Sequence, residues 1–213
     1  MELVIASSLS ILLGWTVIHL YLQSTRAAET QSESARTVEQ SVQLHHLLSH
    51  LIRDALLFDN SGMLAAQNEQ QCEGLFLSGR CLPPVMVWTA GTAGPVTVPA
   101  SVPGSSVLLA RQHCCEDVRA DLFYLAERSS GEGGSALYRR RLLTDGRVAA
   151  ADEMIPDVLS LQFLQVRLHE AQVVMNEPLP FAEQWNALAW RVQAEFFNSD
   201  NSLLFTVAAR QGH

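Results

Sequence analysis

The sequence predicts an α+β fold in which one long N-terminal α-helix packs on an antiparallel β-sheet head. Three observations carry that prediction. No glycine or proline occurs between Gly14 and Gly62, and good helix formers fill the gap. Beyond Phe58 the texture changes to short runs in which apolar and polar residues alternate. Those runs are joined by turn chemistry such as "SSGEGG" rather than by helical sequence, which makes the sheet antiparallel.

The helix opens on Glu2, and from Leu3 to Thr25 there is no Asp, Glu, Lys or Arg. As a helix, Leu3 to Leu22 would rise about 30 Å, the thickness of a bilayer's hydrocarbon core. Residues 1–23 are therefore expected to be a single transmembrane span. A secretory signal peptide is the rival reading. "STRAAE" offers it small residues for cleavage, but the basic start is missing and helix-forming sequence runs straight on.

Residues 24–60 are expected to continue the same helix as an amphipathic rod. Their first part is polar all round. From Val38 the apolar residues recur at helical spacing, with Val38, Val42, Leu48, Ile52 and Ala55 on one stripe and Leu44, Leu47, Leu51 and Phe58 beside it. The whole helix would run for about 55 residues and roughly 80 Å.

Residues 61–213 form the expected head. "SSVLLAR" (Ser105 to Arg111), "DLFYLAER" (Asp121 to Arg128) and "SALYRRRL" (Ser135 to Leu142) read as its first strands, and "AGTAGPVTVPASVPG" (Ala90 to Gly104) as an exposed loop. "DVLSLQFLQVRL" changes phase at Phe163–Leu164, the mark of a β-bulge. "WRVQAEFF" sets Trp190, Val192, Ala194 and Phe196 against Arg191, Gln193 and Glu195, and "SLLFTVAAR" reads as a closing strand. The four cysteines suggest an oxidising compartment. Cys72 and Cys81 bracket a short glycine-containing loop and make a candidate disulfide; adjacent Cys114 and Cys115 form a vicinal bridge or stay free.

The formal net charge is −8 and all 14 basic residues are arginines, a balance that repels phosphate backbones and argues against direct nucleic-acid binding. The one basic cluster, "YRRRL", reads as a solvated sheet edge. His46 and His50 stand four apart on the helix, but no "HExxH" pattern, "CxxC", "GxSxG", phosphate loop or dinucleotide loop is present. Without a nucleophile, base and orienting group in one pattern, the chain is not expected to be an enzyme, and no cofactor, metal or small-molecule substrate is expected.

"ELVIASSLSILLGW" resembles the start of type IV pilins and pseudopilins, where a glutamate precedes a long apolar helix. "HHLLSHLIRDALLF", "MIPDVLSLQFLQVRL", "FAEQWNALAWRVQAEFF" and "SLLFTVAARQGH" resemble, in order, segments of the PilW branch of minor pilins and of its GspJ/PulJ relatives. The resemblance implies a minor pilin that joins other minor pilins in a tip complex priming assembly of the major pilin. It also implies an inner-membrane anchor in contact with lipid, a periplasmic head, a place at the pilus tip, and processing of a precursor by a prepilin peptidase. Glu2 would pair with the N-terminal amine of the adjacent subunit, while Ser10 and Gly14 would let a neighbouring helix approach. The family's basic leader and first mature residues have no counterpart before Met1, so the chain as written is not expected to be processed. Two alternatives stay open: a GspJ/PulJ-type pseudopilin of a type II secretion system, and a single-pass periplasmic binding or adhesion module.

Overall fold

The computed structural model describes residues 2–57, 76–77, 80–81, 83, 85–92, 94–98, 100–114, 117–128, 134–143, 147–169, 172–176, 189–197 and 202–208. One unbroken helix, α1 (Glu2–Leu57), opens the chain. Among the described residues eleven strands follow: β1 (Phe76–Leu77), β2 (Arg80–Cys81), β3 (Val85–Thr89), β4 (Ser106–Cys114), β5 (Asp117–Glu127), β6 (Ser135–Leu142), β7 (Val148–Pro156), β8 (Val158–His169), β9 (Gln172–Asn176), β10 (Ala189–Phe196) and β11 (Ser202–Ala208). The fold is α+β, with a helix packed on antiparallel sheets. The chain divides into two compact units, Met1–Glu39 and Gln40–His213.

In the second unit β3 to β7 form a five-stranded meander, and β11-β10-β8-β9 form a four-stranded sheet. All described pairings are antiparallel, as tight turns between consecutive strands require. The main core lies between the two sheets and the rear of α1. Leu44, Leu48, Leu51, Ile52 and Ala55 meet Val87, Leu108, Phe123 and Leu137 of the first sheet and Phe163, Trp190, Val192 and Phe196 of the second. Burying each large aliphatic side chain of that helical stripe contributes about 1.5–3 kcal/mol. A second cluster covers the opposite face of the five-stranded sheet, from Met86 and Trp88 through Leu122 and Tyr124 to Tyr138.

The chain crosses between sheets at one residue. β7 ends at Pro156, β8 begins at Val158, and Asp157 between them takes φ 61°, a left-handed conformation that Asp tolerates better than most side chains. The corner is pinned by the Phe197 N–H, which donates to the Asp157 carbonyl at 2.8 Å, and by the Ser135 hydroxyl, which donates to the Val158 carbonyl.

Several sequence expectations need correction. Val38 and Val42 do not join the buried stripe; they are 62% and 60% exposed, and the core face begins at Leu44. The irregularity in β8 lies at Leu159 rather than at Phe163–Leu164. Glu195 pairs with Ser160 and Phe196 with Val158, so Leu159 is skipped and turns outward. From Leu161 the alternation then runs unbroken through Phe163 to Gln165, which takes a fully buried place.

"YRRRL" is not an edge, because β6 lies between β5 and β7. Its arginines are held by neighbours: Arg139 on Asp152 at 3.2 Å, Arg141 near Asp121 at 3.8 Å, and Arg140 over the Tyr124 ring at 5.9 Å. The Ala90–Gly104 segment folds back instead of standing free. Its Val102 N–H donates to the Leu125 carbonyl at 2.8 Å, and Val96 and Val98 pack on the second cluster.

The expected membrane anchor is also corrected. Among the described residues no helix is long and apolar enough to cross a membrane. Within α1 the apolar residues are interrupted by Ser10, Thr16 and His19. An inner-membrane single-pass placement therefore does not follow from this helix.

Candidate functional site

The front of α1 carries the largest unsatisfied apolar surface among the described residues. Leu9, Ile11, Leu12, Leu13, Trp15, Val17, Ile18, Leu20 and Tyr21 are each more than half exposed. Successive helical positions point about 100° apart, so this set covers every side of the helix rather than one stripe. A helix apolar all round is built to be surrounded.

The polar groups nearby turn inward on their own helix. Thr16 donates to the Leu13 carbonyl at 2.8 Å and Thr25 to the Leu22 carbonyl at 3.0 Å. Thr30, Ser32, Ser34 and Thr37 bond the carbonyls three or four residues back. Such back-bonding satisfies hydroxyls without any tertiary partner. Trp15 stacks on His19 at 5.4 Å, and His19 lies 3.3 Å from the Gln23 amide.

Glu2 is the first residue of α1, and its side chain lies outside the described residues. Ser10 and Gly14 are exposed and one turn apart. A Cβ built on Gly14 would meet nothing within 4 Å, so no contact inside the chain requires glycine there. What remains is the close backbone approach that a missing side chain permits.

The cysteines are not brought together by any described contact. Cys81 ends β2 opposite Phe76 and Cys114 ends β4 opposite Asp117, with both side chains outside the described residues; Cys72 and Cys115 lie outside them altogether. The His46 and His50 rings sit 5.3 Å apart, and His50 Nδ1 lies 3.2 Å from Asp54 Oδ2. Among the described residues no group of three His, Cys, Asp or Glu side chains converges as a metal site.

A second polar feature went unread in the sequence. At the corner between sheets, Arg128 reaches both Glu153 (3.3 Å) and Asp157 (3.4 Å). Tyr138 donates to Glu153 at 3.1 Å, and the Gln40 amide donates to the other Asp157 oxygen at 3.5 Å. Gln40 is buried, so its amide needs such a partner. The cluster ties the start of the helix's packed portion to the crossover between the two sheets. "IPD" followed by a fresh alternation was the one available signal: a proline and an aspartate at a strand break.

A cavity of about 400 Å³ lies under the Ala90–Gly104 segment, with Trp88, Val96, Val98, Pro103 and Val107 in its walls. Two of its hydroxyls are engaged already, Thr92 with the Thr89 carbonyl and Ser101 with the Val98 carbonyl. Comparison with protein-family models, curated proteins and solved structures gives no match to this chain.

Proposed function

We propose that the chain is a filament subunit of the minor-pilin type, which joins other minor pilins in a complex that primes assembly and occupies the tip. One observation carries this reading: the front of α1 exposes apolar side chains on every side. A one-sided stripe would be satisfied by a single neighbour. An all-round apolar helix needs several, as a subunit in a helical bundle has. The rear of the same helix is covered by the chain's own head. The resemblance of "ELVIASSLSILLGW" and the later segments to minor pilins supports the same reading.

The function is mechanical and calls for no reacting group. The apolar front supplies burial free energy when neighbouring helices gather round it. Co-purification tests this. The intact chain is expected to retain other minor-pilin subunits, and Leu13→Asp with Ile18→Asp, at positions 59% and 60% exposed, is expected to release them while the circular dichroism of the chain stays unchanged. Retention of the same partners by the double variant would remove the front of the helix from the assembly.

A further inference from the structure

The two sheets end in very different ways. In the five-stranded sheet β3 is buried from Val85 to Trp88, so that edge is covered. β7, the other edge, carries Asp152 and Glu153, ends at Pro156, and pairs with β6 through two register shifts. Charge, proline and irregular register are the devices by which natural sheets stop an edge from recruiting another strand.

β11 has none of them. It is an outer strand of the four-stranded sheet, its sequence "SLLFTVA" holds no charge and no proline, and it pairs with β10 over seven consecutive positions without a shift. Among the described residues no strand pairs with its far side. The layer beneath is also unfinished there. Leu203 and Phe205 point into the main core yet are only partly buried, and the Phe205 ring is met edge-on by His45 at 4.6 Å. Leu204, on the other face, is 46% exposed.

We propose that β11 is a strand-addition edge whose occupant is the β11 of a second copy of this chain. The strand is complementary to itself. In a two-fold antiparallel pair centred on Phe205, Leu203 faces the partner's Val207, so apolar meets apolar on the core side. On the other side Leu204 faces the partner's Thr206 and Ser202 faces the partner's Ala208, so no like charges oppose each other. The pair would join two four-stranded sheets into one and extend the core over Phe205 from both copies. Backbone hydrogen bonds would supply the attraction and the alternating side chains the register. This dimer goes beyond the filament reading and uses a different surface.

The test is sedimentation of the full chain in mild detergent, which covers the apolar front of α1. The wild-type chain is expected to be a dimer at micromolar concentration. Leu204→Glu with Thr206→Glu opposes carboxylates at two places in the pair and is expected to weaken the dimer by at least about tenfold, most strongly at low salt. Leu204→Lys with Thr206→Lys alone should do the same, and mixing the two variants should restore a mixed dimer. A wild-type chain that stays monomeric at every concentration overturns the proposal. So does a glutamate variant that dimerises as tightly as the wild type, or a mixture that fails to pair. Leu13→Asp with Ile18→Asp should leave this dimer intact, so a failure of the filament reading and a failure of the β11 pair give different results.

Discussion

The front and rear of α1 are one helix and follow two rules. At the rear, Leu44, Leu48, Leu51, Ile52 and Ala55 fall on one stripe and are almost completely buried by the head. At the front, apolar side chains as large or larger stand more than half exposed on every side. Local propensity does not separate the two portions, since both are continuous helix. What differs is the angular spread of the apolar residues. A narrow stripe specifies one partner, and the chain supplies it. A full circle leaves apolar side chains that the chain itself does not cover.

Truncation should make that difference measurable. Leu48→Ala removes a fully buried side chain from between two sheets that cannot both follow it inward. It should cost about 2–5 kcal/mol in the denaturant unfolding of the intact chain. Leu13→Ala, at a 59% exposed position, should change the same transition by no more than about 0.5 kcal/mol. Equal costs at the two positions would mean that the front is covered within the chain, and the contrast would collapse.

The helix was legible in the sequence because its evidence is local: a long stretch without breakers and a clear spacing of apolar residues. β10 was legible for the same reason, since "WRVQAEFF" announces its faces residue by residue, whereas "SALYRRRL" was legible as a strand but not as one buried on both faces. What escaped depends on neighbours that the local pattern does not name. "VAAADEMIP" alternates poorly and has acidic residues at its centre, yet β7 forms because β6 offers Arg139 to Asp152 and Tyr138 to Glu153.

Val42 has the spacing of a core residue and lies exposed, because spacing gives a face and not the point at which the head begins to cover it. The Gln40–Asp157–Arg128–Glu153 cluster was illegible in the strict sense: its members are far apart in sequence and meet only through the crossover at Asp157. Of the candidate assembly residues, Ser10 and Gly14 sit as their i, i+4 spacing implied, on one exposed turn.

The segment over Trp88 offers a second contrast, between a loop that reads as free and a loop that packs. A Cβ placed on Gly94 would stand 2.3 Å from Trp88 Nε1 and 2.6 Å from Cε2, far inside contact distance. Trp88 is 6% exposed and has little room to yield. Gly94→Ala should therefore destabilise the head by about 1–3 kcal/mol and shift the tryptophan fluorescence. Gly91→Ala, with nothing within 4 Å of the added atom but φ at 89°, should act through backbone strain alone and leave the fluorescence in place. A neutral Gly94→Ala would return the segment to the free loop that its composition suggests.

The smallest expected effect sharpens the comparison between the two faces of the five-stranded sheet, because among the described residues only the outer one buries ionisable rings. Tyr124 is 2% exposed, stacks on Tyr138 at 6.1 Å and lies under Arg140. Burial raises its phenol above the ordinary value near 10, against the opposing pull of Arg140. The folded chain therefore holds this proton more tightly than the unfolded chain. The corresponding stability is whole below pH about 10 and is lost as pH rises through the folded value. With no lysine in the sequence, no lysine ammonium titrates alongside this phenol on the alkaline limb. Tyr124→Phe should flatten that limb in denaturant midpoints measured across it, and the lost phenolate signal in an ultraviolet titration should be the late one. A limb as steep in the variant as in the wild type would show that the outer face leaves Tyr124 open to water.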